Sequence, residues 1–257
     1  MGWRSMCNLY SITTPVADMR RLFDVSPEND LLGNFKPLEA VFPKHHAPVV
    51  RLDTQGERQL VAMEWGFATP KISKKTGKPI SPYAWNNARD ENLLKSRLWR
   101  DSFVKRRCLV PVSSFQESKG KAPATNVWFA MNADDETQRP LFAFAGLWRH
   151  HQFEMQDAGA DKDTFTVITT SANELIKPVH PNRMPVILDP GSFDSWLNGT
   201  EADALNLLKP FASDEMRIAK EGVGIWSDPQ AQVWNWQPVT QRLPSSRSTH
   251  FDMTACE

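Results

Sequence analysis

The sequence predicts an α+β fold: a single domain with a partly closed, barrel-like antiparallel or mixed β-sheet core and short flanking helices. Three observations point there. Short apolar stretches, several rich in β-branched residues, recur along the chain between polar loops of hairpin length. The helical signals are few and short. No internal repeat or linker divides the 257 residues, and a 40% hydrophobic content suffices for one substantial core.

In order, the chain opens on Met6-Cys7-Asn8-Leu9-Tyr10-Ser11. Pro15 fits a first helical turn, and Val16, Met19, Leu22 and Phe23 share one face, so an amphipathic helix is expected over 15–23. Pro27, Gly33, Pro37, Pro43 and Pro48 break residues 26–48 into loop, with a short strand at 38–42. Strands at 49–52 and 60–65 flank the polar turn 53–57. Beyond Trp65-Gly66-Phe67 comes a basic loop holding Lys71, Lys74, Lys75 and Lys78. A helix is expected over 90–103, where Leu94, Leu98 and Phe103 fall on one side, with a basic far end.

The apolar strand 108–112 then delivers the chain to Ser113-Ser114-Phe115-Gln116-Glu117. Strands follow at 127–131, 141–149 and 165–170, separated by the polar loops 119–126, 132–140 and 154–163. Ser171-Ala172-Asn173-Glu174 has the capping-box pattern, so a short helix is expected there, stopped by Pro178. A strand at 186–188 precedes a helix over 190–198 closed by Gly199, and Thr200 caps another through 208. A last strand is expected at 232–237, and residues 241–257 form a mobile tail.

Composition narrows the function. Lysine plus arginine and aspartate plus glutamate are 30 each, so no overall basic field announces a nucleic acid, and any such site is a local patch. Cys7, Cys108 and Cys256 are too few and too far apart for a disulfide framework, which fits a cytoplasmic setting. No apolar run approaches membrane-spanning length, and no signal-peptide core opens the chain, so neither membrane nor export is expected. Adjacent side chains of His45-His46 point apart with no carboxylate to complete a ligand set, so no metal is expected, and no cofactor either. Ten tryptophans against two tyrosines serve a large aromatic core or stacking surfaces for bases.

The chemistry centres on Cys7. If translation starts at Met6 and the initiator is trimmed, Cys7 carries an α-amine and a thiol on adjacent carbons. Their ordinary pKa values, about 7.7–8.0 and about 8.5, leave part of each reactive at neutral pH. An aldehyde meeting that pair forms an imine and closes to a five-membered thiazolidine. A lone cysteine is otherwise a small buried apolar residue. Glu117 either faces solvent or, buried in a cleft, carries protons near neutrality. His180 suits a structural hydrogen bond or catalysis. Asn87 and Arg89 precede the expected helix, where backbone donors and an arginine hold anions. The four lysines are a solvated loop or a phosphate contact.

Together these pieces resemble the SRAP family, the SOS response-associated peptidases, also called abasic site processing proteins. The resemblance rests on Met6-Cys7, Trp65-Gly66, Asn87-Ala88-Arg89 with Glu91, Arg107-Cys108-Leu109-Val110-Pro111 with Phe115 and Glu117, residues 142–148, Thr169-Thr170-Ser171-Ala172-Asn173, and His180 with residues 183–188. It implies an SRAP domain over 6–240, with residues 1–5 an extension absent from or removed in the mature protein. It also implies that Cys7 crosslinks to the ring-opened aldehyde of an abasic site in single-stranded DNA. Asn87 would hold the open sugar or the amine, Glu117 would shuttle protons, and His180 would act as acid or base near the departing sugar oxygen. Arg89 and Arg183 would contact phosphates, flanking bases would stack on Trp65 or Phe67, and Lys74 and Lys75 would meet the backbone. A monomer at the bacterial nucleoid or replication machinery is expected, shielding the lesion during the DNA damage response.

Two departures from the family pattern stand out. Where the family often has Cys-Gly-Arg, this chain has Cys7-Asn8-Leu9, and where the glutamate is often flanked as Tyr-Glu-Trp, it has Gln116-Glu117-Ser118. The second removes two aromatic walls. Two other functions remain open on the sequence: a cysteine peptidase pairing Cys7 with His180, and a non-catalytic single-stranded DNA-binding module using the lysine loop and the basic face from Arg97 to Arg107.

Overall fold

A computed structural model describes residues 7–151 and 162–228. Strand β1 (Leu9–Ile12) leads into helix α1 (Val16–Phe23), which buries Met19 and Phe23. Asp24 ends the helix in the left-handed region, its backbone N–H returning to the Arg20 carbonyl. Strand β2 (Leu38–Val41) follows the proline-rich loop, and β3 (His46–Leu52) and β4 (Arg58–Trp65) form a hairpin. Its turn is held by Asp53, whose Oδ1 accepts from Gln55 N at 2.8 Å and Glu57 N at 2.9 Å. Among the described residues strands β5 (Phe67–Ile72) and β6 (Pro79–Trp85) pair only with each other, and β7 (Asn87–Arg89) comes next. After α2 (Arg100–Lys105) run β8 (Arg107–Val112), β9 (Ser114–Lys119), β10 (Thr125–Met131), β11 (Phe142–His151) and β12 (Lys162–Thr170). The two-residue strands β13 (Met184–Pro185) and β14 (Ile187–Leu188), helices α3 (Phe193–Leu197) and α4 (Glu201–Asn206), and β15 (Met216–Val223) complete the described chain.

Five strands close on themselves. β4 pairs with β3, β3 with β8, β8 with β11 and β11 with β12, all antiparallel, and a parallel pairing of β12 with β4 completes the ring. Closure leaves no edge between these strands. The expected partial barrel is therefore a complete one. Gly146 on β11 allows it to pack on β8, since a Cβ there would meet Val110 Cγ2 at 2.8 Å and Cys108 Sγ at 2.9 Å. A second sheet in the order β15-β10-β9-β1-β2 lies against the ring. Its buried aromatics make the join: Tyr10 meets the edge of Trp65 at 4.9 Å, and Phe115 lies 5.4 Å from Phe144. Each such buried aromatic contributes about 1.5–3 kcal/mol through apolar burial.

Several elements differ from expectation. The helix expected over 90–103 is a 3-10 turn at Asp90–Asn92, further turns and the short α2. Leu93 is the fully buried residue while Leu94 is 37% exposed, so the apolar positions do not form one helical stripe. Residues 174–179 are turns, opened by the Asn173 side chain, which accepts from Ile176 N at 3.0 Å as an N-cap does, and cut short by Pro178, which has no N–H to continue a helix. The basic loop is the tip of the β5–β6 hairpin, whose strands Pro70, Pro79 and Pro82 disguise. The expected strand at 232–237, residues 1–5 and the tail 241–257 lie outside the described residues. No helix among the described residues is long and apolar enough to cross a membrane.

Candidate active site

The antiparallel register of β1 on β9 pairs Leu9 with Gln116, which brings the residues just ahead of β1 alongside Glu117. Cys7 is 1% exposed there, and its backbone nitrogen donates to Glu117 Oε1 at 3.0 Å. From the other side come Asn86 and Asn87. Strand β7 runs parallel to β12, with Asn87 opposite Val167, and this places Asn87 Nδ2 at 3.0 Å from the Cys7 carbonyl oxygen. Asn86 Nδ2 donates to Asn8 Oδ1 at 2.6 Å and reaches the same Cys7 oxygen at 3.4 Å. The Asn86 carbonyl is fixed in turn by the indole N–H of Trp65 at 2.8 Å and by Val167 N at 3.1 Å.

Burial dominates the electrostatics. It pushes the Glu117 carboxyl up to about 8, with only the Cys7 N–H acting the other way, so this group is mostly a neutral acid at pH 7. The Cys7 thiol is raised well above the ordinary thiol range, first by burial and then by the Glu117 charge, which the Leu9 carbonyl only partly offsets. Its hydrogen bond is to that carbonyl, at 3.9 Å. The thiol is thus protonated at neutral pH, and among the described residues no imidazole is hydrogen-bonded to it.

His180 is 6% exposed, with Nδ1 held against the Arg183 backbone, 3.0 Å from the oxygen and 3.3 Å from the nitrogen. It lines an open cavity of about 570 Å³ together with Asn8, Asn86, Phe42, Pro43 and Trp226. The structure therefore brings Cys7, Asn87 and Glu117 into direct contact and sets His180 on the wall of the cavity beside them.

The expected DNA contacts divide. Arg89 on β7 is exposed and pairs with no carboxylate among the described residues, and Lys74 and Lys75 are exposed at the hairpin tip. Asn87 and Arg89 sit on a strand, and Arg89 caps only the three-residue 3-10 turn Asp90–Asn92, too short to form a helix-terminus anion site. Arg183 is already engaged, bonded to Asp90 at 2.7 Å, Glu91 at 2.8 Å and the Thr169 carbonyl at 2.5 Å. Its charge ties the chain after His180 to the turn after β7. Trp65 and Phe67 are fully buried, Trp65 between Tyr10 and Phe165 and Phe67 against Trp99. Neither presents a face to a base. Their role is beneath the site, and an apolar aromatic next to a strand-ending glycine is the signal that marks them as core.

Three residues were missed in the sequence. Asn86 shares the work of Asn87, and the doubled asparagine was its trace. Tyr83 and Trp85 are 51% and 38% exposed with ring centroids 4.5 Å apart, on the strand that leads straight into Asn86. Among the described residues no three His, Cys, Asp or Glu side chains gather as a metal site, and His45 instead packs its ring edge 5.6 Å from Phe42.

Comparisons with known proteins fit this geometry. Residues 6–221 match the family model described as SOS response associated peptidase (SRAP). The chain is 32% identical over 218 residues to the abasic site processing protein YoqW of Bacillus subtilis, covering 82% of this chain and 90% of that one. It is 27% identical to the abasic site processing protein HMCES of Gallus gallus, covering 69% of this chain and 60% of that one. A crystal structure of a protein from Bordetella bronchiseptica superposes with a TM-score of 0.64 at 22% identity, over 84% of this chain and 99% of that one. A second, from Bacteroides thetaiotaomicron, gives 0.62 at 21% identity over 84% and 91%. With the family match spanning Cys7, Asn87, Glu117 and His180, the chain belongs to the SRAP family.

Proposed function

We propose that this protein processes abasic sites in single-stranded DNA, capturing the ring-opened sugar aldehyde at Cys7 as a thiazolidine. The observation that carries this reading is the Cys7 nitrogen 3.0 Å from a buried carboxyl, beside a cavity lined by His180, in a chain whose relatives are named for abasic sites.

The closed sugar hides its aldehyde, so opening it needs a proton delivered to the ring oxygen and one taken from the hydroxyl. His180, on the cavity wall, serves the first, and Glu117 the second. The chemistry needs a free α-amine on Cys7, which arises when synthesis begins at Met6 and the initiator is trimmed, or when the extension is cut away. Self-removal of that extension is the peptidase step that the family description suggests. The freed ammonium beside Glu117 draws the carboxyl pKa down, so that it ionises to the carboxylate that takes the hydroxyl proton, and the ammonium itself loses its proton to solvent, leaving a neutral amine. The amine adds to C1′, water departs, and an imine remains.

The thiol then adds to the imine carbon, its proton passing to the nitrogen. One aldehyde and one cysteine give one thiazolidine and one water. Because the buried thiol is protonated, the amine acts first and the thiol second. The imine is also the species from which β-elimination would cut the strand, so ring closure withdraws it from that lyase path. Asn87 and Asn86, gripping the Cys7 carbonyl, hold the nucleophile still. A cysteine peptidase acting on other chains fits less well, since it needs a thiolate and a partner imidazole.

The test is to express the chain from Met6, confirm by mass spectrometry that it begins at Cys7, and incubate it with an abasic oligonucleotide. A heat-stable adduct is expected, and Cys7→Ala abolishes it. A chain beginning at Cys7 that forms no adduct overturns the proposal.

A further inference from the structure

The two aromatic walls missing beside Glu117 leave Gln116, Ser118 and Gly120 lining the cavity instead. Two large aromatics of the lining come from elsewhere: Phe42, whose ring packs on His45, and Trp226. Trp226 follows β15, beyond the residues 6–221 that match the family, and 55% of it is exposed at the cavity. An indole left in water forgoes the apolar burial that holds tryptophans in cores.

The segment that presents it is nevertheless fastened on both sides. Ile225, one residue before, accepts at its carbonyl from Asn126 Nδ2 at 2.9 Å and from Trp128 Nε1 at 3.1 Å. Its side chain packs over Gly222, where a Cβ would meet Ile225 Cδ1 at 2.6 Å. Two residues after Trp226, Asp228 is 1% exposed and accepts from Arg139 at 2.7 and 3.2 Å and from Ser114 at 2.6 Å. The strap is therefore pinned into the protein at both ends while its central ring faces outward.

We infer that Trp226 is the stacking platform for the nucleobase that neighbours the abasic nucleotide. This rests on the function proposed above and names a subsite of it. An abasic nucleotide leaves its neighbour without a stacking partner on one side, and an indole supplies a π-face for any base without reading its identity. Trp226 shares its cavity with Asn8, Asn86 and His180, so DNA reaching Cys7 passes beside it.

The measurement is the affinity of the full chain for a single-stranded oligonucleotide holding one tetrahydrofuran abasic analogue, which binds without reacting. Trp226→Ala is expected to weaken binding roughly tenfold, within the range of one lost base stack, and Trp226→Phe to restore most of it. The penalty disappears when the nucleotides on both sides of the analogue are themselves abasic, which a merely structural loss would not do. Unchanged affinity in Trp226→Ala, or an equal penalty with and without the flanking bases, overturns the inference while the proposed function stands. Wild-type protein that prefers the analogue in no setting and forms no adduct with a true abasic site overturns both.

Discussion

Strand β9 supports two buried carboxylates within a few residues, and they are treated in opposite ways. Asp228 docks on Ser114 and lies in a fork of the Arg139 guanidinium, while Arg139 also donates to the carbonyls of Glu136, Thr137 and Gln138. Glu117, three residues further along β9 than Ser114, is 3% exposed and receives one backbone N–H, with no cation bonded to it among the described residues. A buried carboxylate given an arginine and a hydroxyl is an anchor. One given only the nitrogen of a candidate nucleophile keeps its proton and is available for chemistry.

Removing the partner should break the anchor most severely. Arg139→Ala leaves the Asp228 carboxylate buried and uncompensated, and a loss of about 3–5 kcal/mol in unfolding free energy is expected by chemical denaturation. A loss under 1 kcal/mol would mean that the two carboxylates are not so different after all.

Glu117→Gln tests the other side. In the folded chain this carboxyl holds its proton to about pH 8, whereas its ordinary value is 4.5. Between those values the folded state binds more protons than the unfolded state, so wild-type stability falls as pH rises through the window. The glutamine variant lacks that slope and at pH 9 exceeds wild type by a few kcal/mol, on the order set by a shift of this size. In protein beginning at Cys7, the same substitution slows adduct formation roughly 10²–10⁴-fold. Stability profiles that run parallel from pH 4 to pH 9 would remove Glu117 from its assigned state.

The smallest expected effect sharpens the contrast between the two arginines. Arg183 is bonded to two carboxylates and Arg89 to none among the described residues. Arg89→Ala should leave stability within about 0.5 kcal/mol and lower the salt dependence of DNA binding by about one unit of slope. An unchanged slope would place the phosphate path elsewhere on the surface.

Much of this was legible in the sequence because periodicity and turn residues act locally. Strands β8, β10, β11 and β12 and helices α1, α3 and α4 follow from alternation, proline and capping chemistry, while β9 is not foreseen from them. The site was legible as residue types in an order, and Cys7, Asn87 and Glu117 do meet. What stayed hidden depends on partners distant in the chain. Arg183 looks like a free cation until Asp90 and Glu91 are folded against it, and Trp65 looks like a stacking surface until Tyr10 and Phe165 cover it. Trp226 carried no signal, because its meaning comes from the strap that holds it and the aromatics missing beside Glu117.

The pairing of Cys7 with Glu117 spans 110 residues. During synthesis the amine and thiol therefore emerge long before the carboxyl that governs them exists. At about 5–20 residues per second the interval is on the order of ten seconds, and closing so long a loop adds its own delay. In a chain that begins at Cys7, as proposed above, the cysteine is open throughout that interval to any small aldehyde in the cell. Folding is then the event that sets the Glu117 carboxyl beside the Cys7 nitrogen and takes the thiol out of bulk solvent.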